Sequence, residues 1–288
     1  MDVVFDTYLS NSLKQATREK KGKGVRRRVT KEGKCPTNWP MFLKEDQNKQ
    51  ELNIFLGETL CEMTYPPDKK LYVTSNEKVK SNCGETMPDS DHEEADTRLC
   101  LHIKDAIDHE MTNIKVKTLD TDVVLILVSF FHALASQQNS LTDIIVEFGP
   151  KSSHKDINIR NLATSLGQIL CQAIPFFHSL TGCDTTSAFR NVGKRKAYDL
   201  LKQFPEAQRV FESIFLKPFQ NLMEEDDKFK VIVQFVIWCY RKTSICKDMN
   251  VFRGEVYTQN CNLETIPPTT DALLLHTKRA IYQAGVWA

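Results

Sequence analysis

The most apolar run of the chain, VVLILV at 123–128 with Phe130 and Phe131 after it, is preceded immediately by Asp120 and Asp122. A short apolar run bounded by turn residues reads as a buried strand of an α/β sheet. In extended backbone, side chains two apart point to the same face. Two like charges would then stand together at the mouth of a buried strand. That arrangement opposes folding unless a cation lies between them. Removing both charges is therefore expected to stabilise the metal-free chain. The apolar run is also far too short to span a bilayer.

Strand and helix patterns alternate around this point. DVVF (2–5) reads as a strand ending at Asp6, and residues 8–21 as a helix. A helix follows over 41–60, then a strand over 70–75 and an exposed loop over 76–91. The next helix runs from Glu93 to about His109, with Ala95, Leu99, Ile103, Ala106 and Ile107 facing inward. IKVKTL (114–119) and DIIVEF (143–148) read as strands. A single helix is predicted over 158–173, with Leu162, Leu166, Ile169 and Leu170 inward. Further helices are predicted over 194–204, 206–216 and 227–242. A final helix begins after the Pro267–Pro268 pair, with Thr269 or Thr270 as its N-cap and Leu273, Leu274 and Ile281 inward. This order predicts an α/β class, with a mainly parallel central sheet flanked by helices and a helical C-terminal extension over 205–288.

The 288 residues carry a net charge of +1, but unevenly. Residues 11–34 hold ten Lys/Arg against two Glu, so the remainder sums to −7. Residues 81–122 hold eleven acids against four bases. A basic segment beside an acidic pocket suits a polyanion held near a metal; a solvated basic tail or a nuclear-targeting signal is the alternative. The nine cysteines form no C-x-x-C pair, which argues against a zinc site or a disulfide framework. Nucleus or cytoplasm is the expected compartment, and no membrane partner is indicated.

Acids recur where strands end or helices begin: Asp6, Glu93, Glu94 and Asp96, Asp120 and Asp122, and Asp184. In open parallel sheets, ligands bind beyond the carboxyl ends of the strands. Carboxylates without His or Cys partners favour Mg²⁺ or Mn²⁺ over zinc. A pair of such ions activates water and stabilises the leaving oxygen in phosphodiester cleavage. The alternative is that these acids cap helices or sit at the positive end of helix dipoles. His92-Glu93 fails the zincin pattern because position 96 is Asp. His102, His132 and His178 read as packed or surface histidines, and no Cys–His–Asn signature frames Cys183.

The order of these pieces resembles the flap-endonuclease and XPG-like branch of the PIN-like nucleases. That family has a strand ending in Phe-Asp-Gly, then a basic helical arch; this chain reads VVFDTYLSNSLKQATREKKGKGVRRR. Glu94-Ala95-Asp96 resembles the family's Glu-Ala-Glu, and Asp120-Thr121-Asp122 its Asp-x-Asp. Gly182-Cys183-Asp184 followed by NVGKRKAYDLL resembles its Gly-Ser-Asp turn and Gly-x-Gly-x-x-x-Ala hairpin, with Asn191 at the first Gly. HEEADTR, DTDVV and LTGCDTTSAF also look like segments of transposon-associated animal proteins, a likeness that carries no activity over.

The nuclease resemblance spans residues 1–204, with an arch-like insertion over 8–60 and a hairpin over 182–204. It implies Asp6, Glu94, Asp96, Asp120, Asp122 and Asp184 as catalytic metal carboxylates for a pair of Mg²⁺ or Mn²⁺ ions. It implies Lys14 and Arg18 on the scissile phosphate, Arg26, Arg27 and Arg28 steering nucleic acid, and Gly193, Lys194 and Arg195 on duplex phosphates. DNA is expected ahead of RNA. The family also has an earlier strand bearing a metal-binding Asp, so the chain is expected to be truncated and weakly active. A non-catalytic module binding nucleic acid or protein is the second reading, and a hydrolase of small phosphates the third.

Overall fold

The computed structural model describes residues 1–8, 22–136, 143–150, 152–260 and 265–288. The helix expected over 8–21, with Lys14 and Arg18, lies outside the described residues apart from its first position. The chain divides into two compact units, Met1–Ile114 and Lys115–Ala288. The α/β class holds. The expected central sheet is instead two three-stranded sheets, each containing an antiparallel pair.

In the first unit, β1 (Asp2–Val3) pairs in parallel with β2 (Tyr72–Ser75), and β2 pairs antiparallel with β3 (Lys78–Ser81). β3 lies inside the stretch expected to be loop. A turn of Asn76 and Glu77 closes this hairpin, with Asn76 at φ 55°, a conformation Asn tolerates. The strand pattern of β3 is weak because its four residues are two lysines alternating with Val79 and Ser81 on a half-exposed edge.

The helix expected over 41–60 is two: α1 (Trp39–Leu43) and α2 (Asp46–Glu62). The Asn38 carboxamide caps α1 through Met41 N–H. α2 lies on β2, where Gly57 passes the Val73 side chain with room for little more than hydrogen. α3 (Ala95–Asp108) buries Ile103 and Ile107 as expected, but its other fully covered side chains are Thr97, Arg98 and His102. Ala95, Leu99 and Ala106 are only partly covered.

In the second unit the sheet order is β4 (Asn113–Thr118), β5 (Asp143–Phe148), β6 (Lys155–Asn158), β4 starting just before the unit boundary. The apolar run 123–128 is not a strand. It is the body of one helix, α4 (Thr121–Ser136). Two causes are visible. The Asp120 carboxylate accepts the Asp122 N–H at 2.9 Å, which caps the helix start. The run is also buried on several faces, so its apolar residues carry no periodicity that separates a buried helix from a strand.

The single helix expected over 158–173 is likewise broken, into α5 (Ile159–Leu166) and α6 (Gln168–Leu180). Gly167, at φ 78°, ends one and starts the other. The break rotates the helix face, and Ile169, expected inward, is exposed.

The second unit has one main core, built around α6. α7 (Lys194–Lys202), α8 (Pro205–Leu216), α9 (Asp227–Tyr240), α10 (Met249–Asn260) and α11 (Thr270–Val286) complete it. α10 was not expected from the sequence. Phe176 meets Phe211 edge to face at 4.9 Å, and Phe211 meets Phe235 at 5.2 Å. Ala173, Ala207, Ala280 and Ala284 are fully buried, which lets helices approach closely. Thr269 caps α11 through Ala272 N–H. The helices after residue 204 thus share one core with α6. No described helix is long and apolar enough to cross a membrane.

Past α6 the chain turns at Gly182, at φ 109°. A Cβ there would lie 2.8 Å from Ala188 backbone and side chain. Gly182→Ala should therefore cost about 3 kcal/mol, read by urea denaturation. His276 Nε2 lies 2.8 Å from Leu180 O, and burial pushes its pKa below the ordinary 6.5. Below pH 6.5 the unfolded chain binds a proton that the folded chain resists, so stability falls as the pH drops through that window. His276→Gln should flatten this part of the stability–pH curve, measured against the parent chain.

Candidate functional site

The β4–α4 junction brings the two aspartates together. Asp120 N–H donates to Thr118 Oγ1 at 3.0 Å, and the Asp120 carboxylate is turned onto the helix start. Asp122 occupies the first turn of α4, where the helix dipole favours a negative charge. Its Oδ1 is 3.1 Å from His178 Nε2 on α6. His178 Nδ1 in turn lies 3.0 Å from Lys194 Nζ, which also donates to Gly182 O at 2.6 Å. With Lys194 donating to Nδ1, the proton of His178 sits on Nε2 and faces Asp122. Burial pushes the Lys194 ammonium below the usual lysine range, while Cys183 and Asp122 pull it back.

The repulsion expected between the aspartates is thus met by a helix cap on one side and an imidazole on the other. The Asp120 and Asp122 carboxylates each still offer an oxygen within 4.8 Å of the other. Asp184, on the turn after Gly182, is exposed. Among the described residues it is in no group of metal-capable side chains with that pair.

The loop around Gly182 is wired to α11 and to itself. Thr185 Oγ1 donates to Gln283 Oε1 at 2.6 Å, and Thr186 Oγ1 to Ser179 O at 2.6 Å. The Cys183 thiol lies 3.1 Å from Thr186 Oγ1 and 3.3 Å from Thr185 Oγ1. Asn191, standing where the hairpin pattern has Gly, adopts φ 61°. This is a left-handed conformation that Asn tolerates better than most residues.

The first unit gathers its own acids at the end of β1. Asp6 Oδ1 accepts the Ala95 N–H at 2.8 Å and so caps α3 from a distant part of the chain. Glu94 is the N-cap residue, buried and without a side-chain cap bond, and Asp96 lies in the first turn. Arg98 is buried, and its Nη1 donates to Thr7 Oγ1 at 2.9 Å. Burial pulls the Arg98 pKa down, and Asp6 and Glu77 oppose that. His102 Nδ1 meets Asp2 Oδ2 at 2.7 Å.

The basic segment is less free than its charge implies. Arg26 directs its guanidinium onto α2, with Nε on Gln47 at 3.0 Å, Nη1 on Asn48 at 2.9 Å and Nη2 on Glu51. Asn48 is fully buried and also bonds Arg27 N–H, Val25 O and Phe42 O. The Val29 N–H and then Arg26 hold the Glu51 carboxyl below its usual range. Arg27 and Arg28 remain exposed. A further group, Glu147, His154 and Asp156 on the β5–β6 hairpin, has metal-capable spacing, but Lys115 pairs with Glu147 at 2.7 Å.

Sequence reasoning missed His178, Arg98 and His102 as parts of these sites, because nothing local marks them. Their partners are 56 or more positions away (Asp122, Thr7 and Asp2). Asp120→Asn should be nearly neutral, since Asn caps a helix as well as Asp. Asp122→Asn should cost about 1 kcal/mol by weakening the His178 contact and the dipole interaction, seen in thermal melts without metal. Comparison with protein-family models, with curated proteins and with solved structures gives no match.

Proposed function

We propose that the chain is a divalent-metal-dependent phosphodiester hydrolase acting on nucleic acid, DNA ahead of RNA, of the PIN-like, flap-endonuclease-like kind. The observation that supports this most is the Asp120–Asp122 pair, whose oxygens lie within 4.8 Å of each other at a strand-to-helix junction. The donor set is carboxylate oxygen alone, which fits a hard cation that keeps several waters and takes one or two carboxylates. Asp120 and Asp122 would hold Mg²⁺ or Mn²⁺, which supplies a water of lowered pKa for attack at phosphorus. His178 orients Asp122, and Lys194 fixes the tautomer of His178. Asp184 of the same unit, and separately Asp6, Glu94 and Asp96 of the first unit, are proposed as further metal-binding carboxylates. Arg27, Arg28 and Arg195, all exposed, are the cations proposed for phosphate contact. Arg26 and Lys194 are held by internal partners and act on the scaffold.

One observation favours a second reading, a non-catalytic module that binds nucleic acid or protein. Asp122 already has a partner in His178, so the pair is tolerable without metal. The eight described cysteines are all free, in keeping with nucleus or cytoplasm as the proposed compartment.

The test is Mn²⁺ titration followed by cleavage of a labelled flap and a labelled single strand, with and without EDTA. Asp120→Asn with Asp122→Asn should weaken Mn²⁺ binding at least tenfold and abolish cleavage. Mn²⁺ binding unchanged in that double variant sinks the metal site; Mn²⁺ binding without any cleavage favours the second reading. Arg27→Ala with Arg28→Ala should weaken nucleic-acid affinity and lower the slope of log affinity against log salt by about 2. Arg26→Ala should instead lower stability.

A further inference from the structure

We infer that the second unit holds a binding pocket for the anion of a medium-chain aliphatic acid, on a lining that shares His178, Lys194 and Arg195 with the proposed hydrolase site. A cavity of about 320 Å³ opens among α4, α5, α6 and α7, a size typical of small-molecule sites. Leu125, Val128, Leu166, Ile174 and Phe177 supply its walls. None of these side chains donates or accepts a hydrogen bond. A nucleobase or sugar edge entering the cavity would lose its partners in water and find none, a penalty that an alkyl chain does not meet.

Part of the lining has a different chemistry. Lys194, Arg195 and Tyr198 of α7 belong to it, and Lys194 Nζ meets the His178 ring. A lysine ammonium has three N–H donors. Gly182 O takes one of those on Lys194, and the His178 ring, with Nδ1 at 3.0 Å and Nε2 at 3.4 Å, takes a second; with Nε2 carrying its own proton, one N–H is left for a ligand. Arg195 makes no hydrogen bond or ion pair with any described residue, and the Tyr198 hydroxyl makes no hydrogen bond with one. α7 begins at this point with Gly193 as N-cap, no side-chain cap bond and no acid in its first turn. Its dipole and uncapped N–H groups therefore add to the positive side. Asp122, which pulls on Lys194, is itself held by His178. Apolar walls closed by donors and cations match an alkyl tail ending in a carboxylate. The same donors would accept a phosphate monoester, but its second negative charge would face Asp122.

The experiment is calorimetric titration of the full chain, in metal-free buffer, with butyrate, hexanoate, octanoate and octanol. Affinity should rise about fourfold per added methylene, and octanol should bind at least tenfold more weakly than octanoate. Arg195→Ala, an exposed position, should weaken octanoate about tenfold and leave octanol unchanged. Leu166→Trp should fill the cavity and abolish octanoate binding, with circular dichroism confirming the fold. Octyl phosphate serves as a control and should bind no tighter than octanoate. The inference is overturned by a flat chain-length series, by equal affinities for octanol and octanoate, by no octanoate binding at millimolar concentration, or by unchanged binding in a folded Leu166→Trp variant. If that variant does not fold, the chain-length series and Arg195→Ala decide the matter. No readout involves metal or cleavage, so failure of the hydrolase proposal leaves this test intact.

Discussion

A helix buried along almost its whole length sets the terms for the second unit. From Leu170 to Phe177 and again at Ser179 and Leu180, α6 is covered, so the polar groups at its end must find partners inside the protein. They do so through a chain of side-chain bonds. Ser179 Oγ donates to Ala280 O, His276 meets Leu180 O, Thr181 Oγ1 returns to Phe177 O, and Thr186 Oγ1 reaches Ser179 O. Gly182 then turns the chain where no side chain fits, and its carbonyl receives Lys194. The loop after α6 is held by this accounting more than by its own sequence preferences.

The same constraint positions the candidate site. His178 rides on the one partly exposed position near the end of α6 and so meets Asp122 on one side and Lys194 on the other. A carboxylate, an imidazole and an ammonium in line form a polar network in which each member has a partner. Removing any one leaves the others less well satisfied. The network holds Asp122 in a fixed orientation, which metal binding requires, and it also makes Asp122 tolerable without metal. The two proposed readings of this protein part at that point.

The first unit solves a comparable problem by different means. Its short sheet covers little, so polar side chains hold distant segments together. Asn48 fastens residues 25–27 to α2, Asp6 caps α3, and Asp2 meets His102. Arg98 is buried, a costly placement that nearby Asp6 and Glu77 partly offset. The basic segment is thereby divided. Arg26 belongs to the scaffold, and Arg27 and Arg28 face solvent.

The local sequence by itself determined the mixed α/β class, a threonine cap at 269 or 270, the Ile103–Ile107 stripe and the placing of Glu94, Asp96 and Asp120 at helix starts or a strand end. Each of these depends on residues within a turn or two of one another, where spacing and capping act directly. Only the tertiary structure decided that VVLILV is helical, because an apolar run buried on several faces has no period to read. Only it decided that Gly167 breaks one expected helix into two and that Lys78–Ser81 is a strand, since a polar edge acquires that state from its neighbour. The partners of Asp122, Arg98 and Arg26 were equally hidden. A charged side chain shows its type in the sequence, but whether it meets water, a ligand or another side chain depends on which distant segment packs beside it.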